Sequence, residues 1–146
     1  MTIFEALRAD HEIQRTLLNK LIATSGDTTH RDHVFKAIKH ELQIHEDAEE
    51  RFFYVPLIEK DLTQDKARHG IAEHHEIDEI IVKLEETAYD SSGWLKFAKQ
   101  LKEKVEHHLK EEEHTIFQMA GKVLKETEKI ALAKKYINYI EEQRNL

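Results

Sequence analysis

Cysteine is absent from this chain. That excludes disulfides, iron–sulfur clusters and thiolate-bound zinc. Proline occurs once and glycine four times, too few to punctuate the turns of a sheet protein. No apolar run approaches the roughly 20 residues that cross a bilayer. Glu5 and Asp10 interrupt MTIFEALRAD where the apolar core of a signal peptide would lie. Positive charge is in deficit: the formal net charge is −7. Nucleic acids, which need concentrated positive charge, are therefore disfavoured as partners, whereas cation uptake is compatible with this balance. No membrane partner is expected, and a cytoplasmic location is the simplest reading.

What is abundant is Glu, Lys, Leu, Ile and Ala, and all but Ile are strong helix formers. Apolar residues recur at three- and four-residue steps over 2–24, 29–54, 63–87 and 92–121, with a shorter run over 126–142. Thr2 and Glu5 fit a capping box. Gly26 marks a stop, and Pro56 ends or kinks the second helix. The expected fold is all-α: one domain over 1–146, an up-down-up-down four-helix bundle. Two helix hairpins, about 2–58 and 63–121, precede a short C-terminal helix that covers an end or edge or joins a subunit contact.

Eleven histidines are scattered along the chain. An offset of 63 residues carries His11 onto His74, His45 onto His108, Glu49 onto Glu112 and Glu50 onto Glu113 without a gap. Apolar positions follow: Leu18 meets Ile81, Leu42 meets Val105, and Tyr54 meets Phe117. The chain therefore reads as two hairpins related by an approximate two-fold. The offset also selects His74 over His75 and His108 over His107.

A step of four places His45 above Glu49, and His108 above Glu112, on one helix face. These residues interrupt apolar stripes, where an ionised group is costly unless paired or metal-bound. Turned inward at one height, four imidazoles and two carboxylates suit a pair of transition metals, with Glu49 and Glu112 as bridges. Each hairpin supplies His, His and Glu. Imidazole fits Fe, Zn or Cu, and carboxylate shifts the preference toward Fe or Mn. Water, hydroxide or oxo must complete the shell, leaving room for a small exogenous ligand. Glu46 lies near enough to Glu49 around the helix to add a terminal carboxylate on one side. Its counterpart is Leu109.

A lone histidine in a stripe is more often a satisfied polar residue than a ligand. His30, His33, His40, His69, His75, His107 and His114 fall outside the repeat and read as solvated. Phe52, Phe53, Tyr54 and Phe117 are first of all core, with a second use as an apolar wall. Tyr54 near a metal can supply a proton or an electron.

The segments RADHEIQRTLL, HEDAEERFFYVPLI, IAEHHEIDEII and HHLKEEEHTIF, over about 3–120, resemble the hemerythrin HHE cation-binding family. The order H…HxxxE…H…HxxxE is reproduced in full. The resemblance implies a four-helix bundle around two iron ions (Fe2+/Fe3+) with an oxo or hydroxo bridge, meeting O2, nitric oxide or peroxide. Manganese or zinc are possible substitutes. The family's oxygen carriers have a second histidine one turn beyond the third-helix histidine, where this chain has Asp78, and end the fourth-helix motif in Asp five residues on. The run His45, Glu46, Glu49 is similar to an iron-sensing relative in which the extra Glu binds iron.

Three functions follow as expectations. The first is a di-iron protein that binds or senses O2, NO or iron, alone, as a homodimer or through a protein partner. The second is a redox enzyme acting on hydrogen peroxide, NO or O2 through the same centre. The third is a partner-binding bundle with adventitious metal.

Overall fold

Thr2 starts the first helix from both directions. Its hydroxyl accepts the Glu5 N–H, and the Glu5 carboxylate accepts the Thr2 N–H at 3.0 Å. The structure, a computed structural model, describes all of residues 1–146. Helix α1 (Ile3–Ile22) ends before Gly26, whose φ of +65° turns the chain without a steric penalty. Thr28 caps α2 (Thr29–Glu49) by accepting the Arg31 N–H. A π-helical turn, Glu50–Tyr54, leads on into α3 (Val55–Ile58). Helix α4 (Gln64–Glu85) returns, and Ser91 caps α5 (Ser92–Glu111). A second π turn, Glu112–Ile116, continues into α6 (Phe117–Val123), and α7 (Glu126–Arg144) closes the chain.

Since α3 and α6 prolong α2 and α5, the architecture is a four-helix bundle with one added C-terminal helix and no strands. Helix α1 packs on α2 and α5, and α4 on α5. Helix α7 lies along α1 and α2, covering an edge of the bundle. No helix is long and apolar enough to cross a membrane.

The second helix runs past its expected end at residue 54. Pro56 does not stop it, because the widened π turn just before absorbs the lost hydrogen bond. Proline is not the cause of the turn either. The second hairpin has Met119 at the equivalent position and makes the same turn. Each turn is closed by a bond five residues back: Val55 N–H to the Glu50 carbonyl, and Phe117 N–H to the Glu112 carbonyl. The extra residue shifts the inward stripe. Phe53, Tyr54 and Leu57 are buried, and Phe52 is only partly so.

The core has two apolar clusters. Ile3, Leu7, Phe53, Tyr54, Ile116, Phe117 and Tyr136 belong to one. Leu18, Leu42, Ile77, Ile81, Trp94 and Val105 belong to the other. His11, His45, His74 and His108 fall between them along their helices, so the polar groups form one layer across the bundle.

The two halves pack differently at that layer. Tyr54 and Gly70 in one correspond to Phe117 and Leu7 in the other. A Cβ at Gly70 would lie 2.9 Å from Tyr54 Cε2 and closer still to the phenol. Tyr54 is fully buried and has nowhere to move. Gly70→Ala is therefore expected to destabilise the fold by about 1–3 kcal/mol through overpacking, measured by urea unfolding.

Candidate metal centre

Helices α1, α2, α4 and α5 each contribute one buried histidine; Glu49 is the residue just before the first π segment and Glu112 opens the second. Each imidazole is oriented by its Nδ1. His11 Nδ1 meets Glu113 at 2.7 Å and His74 Nδ1 meets Glu50 at 2.8 Å. These two clamps are exchanged between the hairpins, since the 63-residue offset pairs His11 with His74 and Glu50 with Glu113. The π turns allow successive glutamates to serve both tasks: Glu49 and Glu112 reach the centre, while Glu50 and Glu113 take the Nδ1–H groups.

The remaining pair is asymmetric. His108 Nδ1 donates directly to Glu73 at 3.1 Å. The counterpart of Glu73 is Asp10, one methylene shorter. Tyr136 of α7 fills the gap: His45 Nδ1 meets its hydroxyl at 2.6 Å, and the hydroxyl donates to Asp10 at 2.5 Å. Arg144, also on α7, binds Asp10 at 2.8 Å and Glu41 at 2.9 Å. The edge helix is thus part of the centre's support.

With Nδ1 engaged outward, every Nε2 faces inward. His11 Nε2 lies 3.1 Å from Glu112 Oε1, and His45 Nε2 3.4 Å from Glu49 Oε2. His74 Nε2 is 3.0 Å from Glu49 Oε1, and His108 Nε2 is 3.4 Å from Glu112 Oε2. Each carboxylate therefore turns one oxygen toward each histidine pair. Two donor groups result, His11, His45, Glu49 and Glu112 on one side and Glu49, His74 and His108 on the other, with donor atoms within 4.8 Å of one another. The Nε2 atoms of His11, His45 and His108, Glu49 Oε2 and Glu112 Oε1 are buried without a hydrogen bond. Orphaned polar atoms are costly in an interior, and a metal ion held by each group would satisfy them. Imidazole and carboxylate together fit iron, manganese or zinc.

Glu46 is not in either group. It is buried against Asp78 beside a cleft also lined by Gln43, Glu50 and His75. Burial and Asp78 push its carboxyl up to about 10. His75 and the other histidines outside the repeat are exposed. Tyr54 donates its hydroxyl hydrogen to Glu112 Oε2, and burial followed by the Glu112 charge holds the phenol well above its ordinary value.

The layer splits its two carboxylates. Burial alone raises Glu49, but the charge of His45 and hydrogen bonds from the histidines hold it well below the usual range. Burial and the Glu49 charge raise Glu112. Burial alone lowers the imidazoles, yet Glu112 and Glu113 raise His11 to about 9, Glu49 and Glu50 raise His74 to about 10, and Glu49 and Glu73 raise His108 to about 9.

The family profile of the hemerythrin HHE cation binding domain matches residues 2–120. A crystal structure of a hemerythrin HHE cation binding domain-containing protein from Mycobacterium kansasii is similar in fold. Its TM-score is 0.89 at 22% identity, over 99% of this chain and 88% of that one. No curated protein matches the chain.

Two outcomes are expected. A histidine whose folded value exceeds its ordinary 6.5 stabilises the fold fully below pH 6.5 and ceases to as pH climbs through the folded value. Chemical unfolding of the metal-free protein should therefore become easier between pH 6.5 and about 10. Tyr136→Phe removes the acceptor of His45 Nδ1–H and should weaken metal binding by about 10–100-fold, measured by competition with a chromophoric chelator.

Proposed function

Because the chain belongs to the hemerythrin HHE cation-binding domain family, we propose that it is a non-haem di-iron protein that binds or senses O2, NO or iron itself. The observation that carries this reading is the set of buried, partnerless Nε2 and carboxylate oxygen atoms converging on one layer. His11, His45, His74 and His108 are assigned as terminal ligands, with Glu49 and Glu112 as bridges. Glu46 is left out of the ligand set, since it stands in neither group of converging donor atoms. Iron supplies a change of valence and open coordination positions for a small ligand.

The chain's own residues shape what reaches those positions. Phe4, Phe53 and Phe117 pack edge-on or tilted at 5.1–6.1 Å between centroids, and Phe117 stacks on the His11 ring. This wall excludes water from one side of the layer and favours a small, weakly polar ligand. The Nδ1 clamps hold each imidazole in the tautomer whose Nε2 lone pair points inward.

Tyr54 supports a second reading, redox turnover of hydrogen peroxide. Its phenol is a protic group already hydrogen-bonded to Glu112 at the centre, protonated and held in place. A hydroxyl so placed would hold a proton beside Glu112, available to a small oxygen-containing substrate.

Anaerobically purified protein should hold about two irons per chain, with charge-transfer absorption after oxidation. Glu49→Ala should lose most of that iron. A chain without iron in either form would overturn the proposal. Rapid O2 release on adding hydrogen peroxide, lost in Glu49→Ala and slowed in Tyr54→Phe, would mark the second reading. A spectrum that responds to NO or azide without turnover would mark the first.

A further inference from the structure

The 63-residue offset also pairs two outer faces of the bundle. On α1 and α2 the face carries Ala6, Asp10, Ile44 and Ala48; on α4 and α5 the matching positions are His69, Glu73, His107 and Glu111. Helix α7 covers the first: Ala6, Ile44 and Ala48 share one apolar cluster with Ala133, Tyr136 and Ile140. The second face stays open to solvent, the side chains of His69 and His107 being 51% and 66% exposed.

What stands on the open face is a second copy of the ligand spacing. His69 with Glu73, and His107 with Glu111, are two His-x-x-x-Glu pairs on adjacent antiparallel helices. His69 Nε2 lies 3.5 Å from Glu73 Oε1 and 3.3 Å from Glu111 Oε1. His107 Nε2 lies 3.5 Å from the other oxygen of Glu111. Charge-assisted hydrogen bonds close to about 2.7–2.9 Å, as the His11–Glu113 clamp does at 2.7 Å. Two donors held about 2.1 Å from one tetrahedral ion are instead about 3.4 Å apart. The outer cluster has the second spacing. His69, Glu73 and Glu111 bring three donor atoms within 4.8 Å of one another.

Glu73 distinguishes this cluster from an ordinary surface ion pair. It is only 2% exposed and is fixed from behind by His108 Nδ1 at 3.1 Å and from the side by Lys104 at 3.5 Å. One carboxylate thus faces both the interior layer and the surface.

We propose that the outer face of α4 and α5 holds one divalent transition-metal ion, with His69, Glu73 and Glu111 as ligands and His107 within reach as a fourth. Mixed imidazole and carboxylate donors select a borderline ion such as Zn2+ or Fe2+ over Mg2+ or Ca2+. The ion shares Glu73 with His108, which joins the outer site to the interior layer through a single side chain.

The test is zinc titration onto iron-loaded protein, followed by dialysis and analysis of both metals. Wild type should retain one more zinc per chain than the doubly substituted His69→Ala/His107→Ala, and Glu111→Gln should lose the same equivalent. Iron content and helical circular dichroism should be equal in all three, because the substituted side chains are not interior ligands. Equal zinc retention in wild type and the double variant would overturn the proposal, as would displacement of the extra zinc by millimolar Mg2+. The readout is a difference in zinc between variants, so it stands whether or not the interior layer takes iron.

Discussion

Two carboxylates buried side by side govern this structure. Glu49 and Glu112 are completely inaccessible and would repel one another in an apolar bundle. Their burial is tolerable because four imidazoles surround them, and the imidazoles are tolerable because each has a fixed partner for its outer nitrogen. Removal of any one layer leaves the next uncompensated. The apolar clusters on either side complete the arrangement by keeping the layer dry and the four helices in register.

Helical geometry alone does not deliver this. Adjacent residues on an α-helix point about 100° apart, so a glutamate aimed at the centre and its neighbour aimed at a facing histidine would ordinarily diverge. The π turns that begin at Glu50 and Glu112 relieve the conflict, and they rotate the following aromatic residues into the core. Wide turns of this kind cost hydrogen-bond quality and are found where a site requires them. Here one begins just after Glu49 and the other at Glu112.

Much of the centre was legible in the sequence because it is written twice at one offset. The inward histidines, the two inward glutamates and the choice of His74 over His75 all follow from that repetition. The supporting groups were harder to see. Glu50 and Glu113 also repeat, but nothing in the spacing marks them as partners of histidines on the opposite hairpin. Asp10 and Glu73 occupy equivalent positions, yet only the fold shows that a tyrosine more than a hundred residues away bridges the shorter one. Nothing in the sequence singles out Tyr136 on the C-terminal helix. Glu46 differs for a related reason: its angular position on an ideal helix allows ligation, but it stands in neither donor group and is raised by burial and the nearby Asp78. The π turns left no signal in the sequence, and Pro56, expected to end or kink the second helix, lies inside the short helix that continues it.

The exchanged clamps, His11 on Glu113 and His74 on Glu50, have the form of an isologous contact, in which residue i of one partner meets j of the other and j meets i. A lone hairpin meeting its own twin would make both from one set of side chains. The chain is thus built as a tethered dimer of hairpins. The tether frees each half to diverge wherever the central symmetry is not needed. Tyr54 over Gly70 against Phe117 over Leu7, and Asp10 with its tyrosine against Glu73, are the places where the two halves have ceased to be interchangeable.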